Sequence, residues 1–260
     1  MATKKTKRSA RPPGMFEGRV ALVTGGGAGL GRATALAFAA AGAEVMIGDR
    51  DAASAARVVE EIQDLGGRAI SMGVDVTQEP QVGAMVARTE EELGPLYAAV
   101  NCAGTSQPGP DHDEAELQRV IAVNVSGVRH AMKHELRGMR ARRSGVIVNV
   151  SSHVAIRQMY GQIIYSASKA AVVGLSRSLG RLLAREGLRI NALCPGAMPT
   201  AMLQQSTGGE AGLLYVARAN PTGRIGTVEE IANTALWMCG PDSGFLIGHA
   251  LVIDGGIVSW

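Results

Sequence analysis

Short apolar runs rich in β-branched residues alternate along the chain with stretches whose apolar positions recur every three or four residues. VALVT at 20–24, EVMIG at 44–48, RAISMGVDV at 68–76 and YAAVN at 97–101 read as strands. GVIVNVS at 145–151, LRINALC at 188–194 and ALVIDGG at 250–256 complete the set. Helical periodicity fills the intervals at 30–42, 52–65, 81–92 and 114–142, then around 165–169 and in VEEIANTALWMC at 228–239. Strands that are apolar along their whole length need cover on both faces, and helices between them imply parallel pairing. Right-handed crossovers then predict an α/β fold. It is a doubly wound, Rossmann-like parallel sheet of about seven strands, with helices on both faces, in a single domain over residues 15–260. The segment 198–224 breaks the alternation and is expected to be a long irregular lid over a ligand.

Composition narrows the function classes. Aromatic residues are only 3% of the chain, which argues against stacking platforms for single-stranded nucleic acid. The net charge is +3, but Lys4, Lys5, Lys7, Arg8 and Arg11 lie in the first fourteen residues; removing those five charges leaves −2. Residues 1–14 are expected to be a disordered basic tail without a specific partner, the alternative being an electrostatic arm for nucleic acid or anionic surfaces. Three scattered cysteines make neither a disulfide framework nor a zinc site. No apolar run reaches membrane-spanning length, so a soluble, cytoplasmic protein without membrane or nucleic-acid partners is expected.

TGGGAGLG at 24–31 follows the first strand and opens the first helix, a placement that suits a pyrophosphate. Gly25, Gly29 and Gly31 are its fixed points, spaced T-G-x3-G-x-G. Asp49, at the end of the second strand, can accept from both ribose hydroxyls and would repel a 2′-phosphate, so NAD is expected over NADP. Arg50 is the competing signal for NADP. Asp75 can contact the adenine amino group or serve as an ordinary turn aspartate.

Ser152 ends the fifth strand, Tyr165 follows it, and Lys169 stands one helical turn beyond Tyr165 on the same face. A nearby ammonium and an oxidised pyridinium are expected to lower the phenol's pKa so that Tyr165 exchanges a proton with an alcohol or ketone. Ser152 would hold the same substrate oxygen. His153 follows the serine and faces either substrate or the sheet edge. Gln158, Tyr160 and Gln162 lie in the loop before Tyr165, where substrate contacts are expected. His130 and His134, at i and i+4, lack the glutamate and third ligand of a zinc hydrolase.

Together these elements resemble the short-chain dehydrogenase/reductase family across nearly all of residues 17–256. TGGGAGLG, including Leu30, is similar to its cofactor turn, and NCAG at 101–104 to its N-N-A-G element. The resemblance implies cofactor contacts from Asn101, Ala103 and Gly104, and from Val76 beside Asp75. Asn124 in VNVSG matches the asparagine that steadies a water-linked relay to the lysine. Ser152 with YSASK matches the family's Ser and Y-x-x-x-K. PGAMPT resembles the segment that holds the nicotinamide, assigning Pro195, Gly196, Met198 and Thr200. The chain departs at Cys102, where a second asparagine is common, and at Ala155, where glycine is. The likeness further implies an NAD(P)-dependent oxidoreductase acting on a secondary alcohol or ketone, without a catalytic metal and as a homotetramer. The rival readings are an NADPH-dependent 3-oxoacyl-type ketoreductase and a catalytically silent nucleotide-binding regulator.

Overall fold

The computed structural model describes residues 14–106, 114–158, 162–207 and 209–259. Residues 1–13 of the expected tail and Tyr160 lie outside them. Strands β1 (Val20–Thr24), β2 (Glu44–Asp49), β3 (Ala69–Gly73), β4 (Leu96–Asn101), β5 (Gly145–Val150), β6 (Leu188–Pro195) and β7 (Ala250–Ile253) form one sheet in the order 3-2-1-4-5-6-7. Every pairing is parallel.

Alternation along the strands divides the core. Ala21 and Val23 of β1 face α1 (Gly29–Ala40), α2 (Ala52–Asp64) and α9 (Val228–Cys239), through Phe38, Ile62 and Ile231. Val20 and Leu22 face α3 (Glu79–Glu92), α5 (Gly127–Arg142) and α6 (Ile163–Leu183), through Met85, Met132 and Val172. β1, β5 and β6 are buried at every residue, as strands covered on both faces must be. Asp51 caps α2 by accepting from the Ala53 and Ser54 amides, and Thr227 with Glu230 forms a reciprocal capping box at α9.

Two segments differ from the sequence pattern. The helical region at 114–142 is α4 (Glu114–Ile121), one π-helical turn at Ala122–Ser126, and then α5. Hydrophobic spacing cannot register one extra residue in a turn. The segment 198–224 is not irregular: it holds α7 (Ala201–Thr207) and α8 (Glu210–Ala219), which pack on each other. No residue of α8 is fully buried.

Strand order reverses between β1 and β4, so their carboxyl ends open a crevice where ligands bind in folds of this kind. The candidate residues sit along that edge or on the helices that flank it.

Candidate active site

The first wall of the crevice is backbone. Gly31 lies under the turn so closely that a Cβ there would stand 2.0 Å from the Gly25 carbonyl oxygen. Gly25 has φ +65°, and a Cβ on it would stand 2.8 Å from the Ala103 backbone. These approaches bring the TGGGAGLG turn against the Asn101–Gly104 segment. Thr200, at the start of α7, lies against Gly29, its methyl 3.5 Å from where a Cβ would be. Met198 and Leu30 both pack against the α1 side of the core.

Asp49 is locked at the end of β2. One carboxylate oxygen accepts from the Gly27 amide and the other from the Asp51 amide, both at 2.9 Å. Arg50 beside it is exposed. Asp75 uses Oδ1 to accept from the amide and hydroxyl of Thr77, the geometry of a turn aspartate. Val76 is buried against Gly127, and its carbonyl meets the His130 ring. Asn101 turns its side chain into the sheet, where it bonds Asn149 at 2.9 Å.

The second wall is built of side chains. Tyr165 stands in the first turn of α6, and the Ser152 side chain lies near enough to its phenol to favour the ionised form. Lys169 is buried one turn further on, donating to the Val150 carbonyl at 3.0 Å. Its Nζ lies 5.7 Å from the Tyr165 ring centroid. Ser151, which belongs to no motif, binds the Lys169 carbonyl at 2.8 Å and ties β5 to α6. The π-helical turn carries Asn124 into the interior. There its amide accepts from the Thr105 amide at 2.8 Å and donates to Ser168 at 3.0 Å. Gly104 leaves room for both groups: a Cβ on it would meet Lys169 Nζ at 3.3 Å and Asn124 Oδ1 at 3.4 Å.

Burial decides the proton affinities here. It pushes the Tyr165 phenol up to about 12, with the Ser152 side chain opposing it. It also pushes the Lys169 ammonium down to about 8. The lowered phenol expected from the sequence is therefore not a property of the protein alone, because desolvation outweighs the opposing Ser152 side chain. Cys102 is likewise pushed to about 12 by burial.

His153 is buried; its Nδ1 contacts the Pro195 carbonyl at 3.0 Å, and burial holds its pKa below the ordinary value. Gln162 stands at the N-cap of α6, its carbonyl accepting from the Ser166 amide. Beyond it the far end of the site is tied together by residues outside every motif. Arg157 reaches the Ile257 carbonyl at 2.6 Å, and Asn220, at the base of the α7–α8 pair, reaches the Asp254 carbonyl at 2.8 Å. A Cβ on Gly196 would strike Asp254, so the PGAMPT segment lies against the same tail. These links join segments far apart in sequence and leave no local pattern. Among the described residues no group of histidine, cysteine or acidic side chains is arranged to hold a metal ion.

The fold and these two walls define a nucleotide-linked oxidoreductase, and the comparisons with known proteins agree. The family profile described as Enoyl-(Acyl carrier protein) reductase matches residues 25–258. The cis-4-hydroxycyclohexanecarboxylate dehydrogenase of Sinomonas cyclohexanicum is 39% identical, over 93% of this chain and 97% of its own. The 7alpha-hydroxysteroid dehydrogenase of Escherichia coli K12 is 34% identical, over 93% and 94%. The crystal structure of gox2181 superposes with a TM-score of 0.89 at 28% identity, covering 96% of this chain and 98% of that one. The chain belongs to the short-chain dehydrogenase/reductase family. It is an NAD(P)-dependent oxidoreductase acting on CH–OH groups.

Proposed function

We propose that this protein interconverts a secondary alcohol and its ketone with NAD(H), using Tyr165 as the general acid and base. The observation that carries the reading is the placement of Tyr165 and the buried Lys169 one turn apart on α6, with Lys169 Nζ 5.7 Å from the phenol ring and Ser152 beside it just past the end of β5. Ser152 holds the substrate oxygen within reach of Tyr165. A phenol held near 12 keeps its proton at neutrality and can deliver it to a carbonyl oxygen as charge develops there. In the oxidative direction Tyr165 takes that proton back, and the charged form of Lys169 favours the phenolate that does so. A bound nicotinamide dinucleotide supplies or accepts the hydride and, when oxidised, adds a positive ring beside the phenol. Asn124 keeps the region around Gly104 and α6 in register.

Asp49 supports NAD over NADP, since both of its oxygens are fixed and a 2′-phosphate would meet a carboxylate. Leu30, Ala103, Gly104, Pro195, Gly196, Met198 and Thr200 line the remaining dinucleotide path in this reading. The α7–α8 pair forms the lid. Its exposed Leu214 and Tyr215 suit an apolar substrate. Two relatives are named for ring-borne hydroxyls, which puts cyclic secondary alcohols first among substrates, with His153 and Gln162 on the substrate side. A homotetramer fits the exposure of Trp237 on α9 and of Phe245 in the turn before β7. A reducing, cytoplasmic setting fits three unpaired cysteines. No helix among the described residues is long and apolar enough to cross a membrane.

The test is dinucleotide reduction by the purified protein across cyclohexanols, hydroxysteroids, polyols and 3-hydroxyacyl thioesters, with NAD and NADP side by side. Turnover of a secondary alcohol that disappears in Tyr165→Phe is expected. Undiminished turnover in that variant overturns the proposal.

A further inference from the structure

Glu135 is the least expected side chain in the fold. It lies on α5 with 1% of its surface exposed, in a helix whose other buried residues are apolar except for His130. Its Oε2 accepts from Asn101 Nδ2 at 3.2 Å, and its Oε1 has no hydrogen-bond partner. An unpaired carboxyl in a core is among the most destabilising groups a chain can place there, unless it is kept neutral or serves a neighbour.

That neighbour is Asn101, whose amide has little freedom. The other Nδ2 hydrogen goes to Asn149 Oδ1 at 2.9 Å, and Oδ1 receives the Thr24 hydroxyl at 3.5 Å. Asn149 Nδ2 donates in turn to Ser176 at 3.0 Å, whose own hydrogen goes to the Val172 carbonyl, so Asn149 cannot exchange its oxygen for its nitrogen. Thr24 Oγ1 then accepts from the Ala103 amide at 3.3 Å. Ala103 is the residue whose backbone touches Gly25 across the crevice. Glu135, Asn101, Thr24 and Ala103 thus form a continuous chain from the buried face of α5 to the meeting point of the two turns.

We infer that Glu135 is a positioning residue for the dinucleotide: it fixes the orientation of the Asn101 amide and, through Thr24, the placement of the Ala103 backbone against the glycine turn. The inference rests on the reading of that crevice as the dinucleotide site. Burial favours the neutral acid, and a neutral acid still offers an oxygen to Asn101. Charged groups do not compete for it. β4, β5 and α6 present Asn101, Asn149 and Ser176, while Glu79 and Glu90 of α3 are paired with Lys133 and Arg142.

The test compares Glu135→Gln, which keeps an acceptor, with Glu135→Met, which keeps the bulk and removes it. NAD+ and NADH affinities are measured by calorimetry, and amide hydrogen exchange is followed across 101–106. Glu135→Gln should bind within about twofold of the parent. Glu135→Met should bind about 5- to 10-fold more weakly, as expected for one buried donor left unmet, with faster exchange at 102–104. Thr24→Val should show a similar loss, and combining it with Glu135→Met should add little. Glu135→Leu serves if the methionine variant does not fold. Unchanged affinity and exchange in Glu135→Met, or full additivity with Thr24→Val, overturns the inference. A parent protein that binds neither NAD(H) nor NADP(H) overturns the dinucleotide reading itself, which separates the two failures.

Discussion

Around the glycine turn, position is set by backbone against backbone; around Tyr165, it is set by side chains whose charge is displaced by burial. Gly31 and Gly25 leave no space for a Cβ, and both Asp49 oxygens are held by amides. Across the crevice, Tyr165 and Lys169 are shifted in opposite directions by the same desolvation, to about 12 and about 8. The first wall should therefore respond to added atoms and the second to lost functional groups and to pH.

The largest effect expected is from Tyr165→Phe, which removes the proposed proton donor and leaves the glycine wall intact. Turnover should fall by about 10² to 10⁴, with dinucleotide affinity within a few-fold. Gly31→Ala inverts the pattern: a methyl 2.0 Å from the Gly25 oxygen forces the turn apart. Dinucleotide binding should fall by about 100-fold or more in calorimetry, with a lower melting temperature. If binding survives Gly31→Ala, the contrast between the walls is wrong.

Acidity separates the buried side chains from the backbone wall in a second way. Glu135 is raised from 4.5 to about 8 by burial, so between those values the folded protein holds a proton that the unfolded chain has lost. Its contribution is greatest below pH 4.5 and is lost as pH rises through about 8. Lys169 is lowered from 10.5 to about 8, so the unfolded chain holds the extra proton between those values and stability rises there. Thermal melts should show Glu135→Gln removing a decline on the order of 3 to 5 kcal/mol below pH 8, and Lys169→Met removing the rise above it. A smaller effect is expected from Asp49→Ala. The ratio of NADP to NAD affinity should increase about 10-fold, read from the two dissociation constants. The smallest is from Phe245→Glu, which should lower the oligomeric state in light scattering and leave the monomer's fold unchanged by circular dichroism.

Much of the fold was legible because period and punctuation are local. β1 and α9 occupy the residues their patterns indicate, and cover on both faces of the sheet follows from strands that are mostly apolar. The glycine turn after β1, Ser152 just past β5 and the one-turn spacing of Tyr165 and Lys169 on α6 were legible for the same reason, since each is a local relation. The π-helical turn at Asn124 was not, since one inserted residue leaves hydrophobic spacing almost unchanged. Nor were α7 and α8, and no residue of α8 is fully buried. Spacing suits Asp75 to adenine and to a turn alike, and its bonds with Thr77 are those of a turn.

The alternation of strand and helix, the glycine turn and the candidate proton-handling groups could be read from the chain alone, because each depends on neighbours within a few residues. How those groups ionise, and which distant partners hold them, was settled by packing in three dimensions. Glu135 meets Asn101 across 34 positions and Asn220 meets Asp254 across 34. Desolvation is a property of everything packed around a group, and no stretch of chain carries it alone.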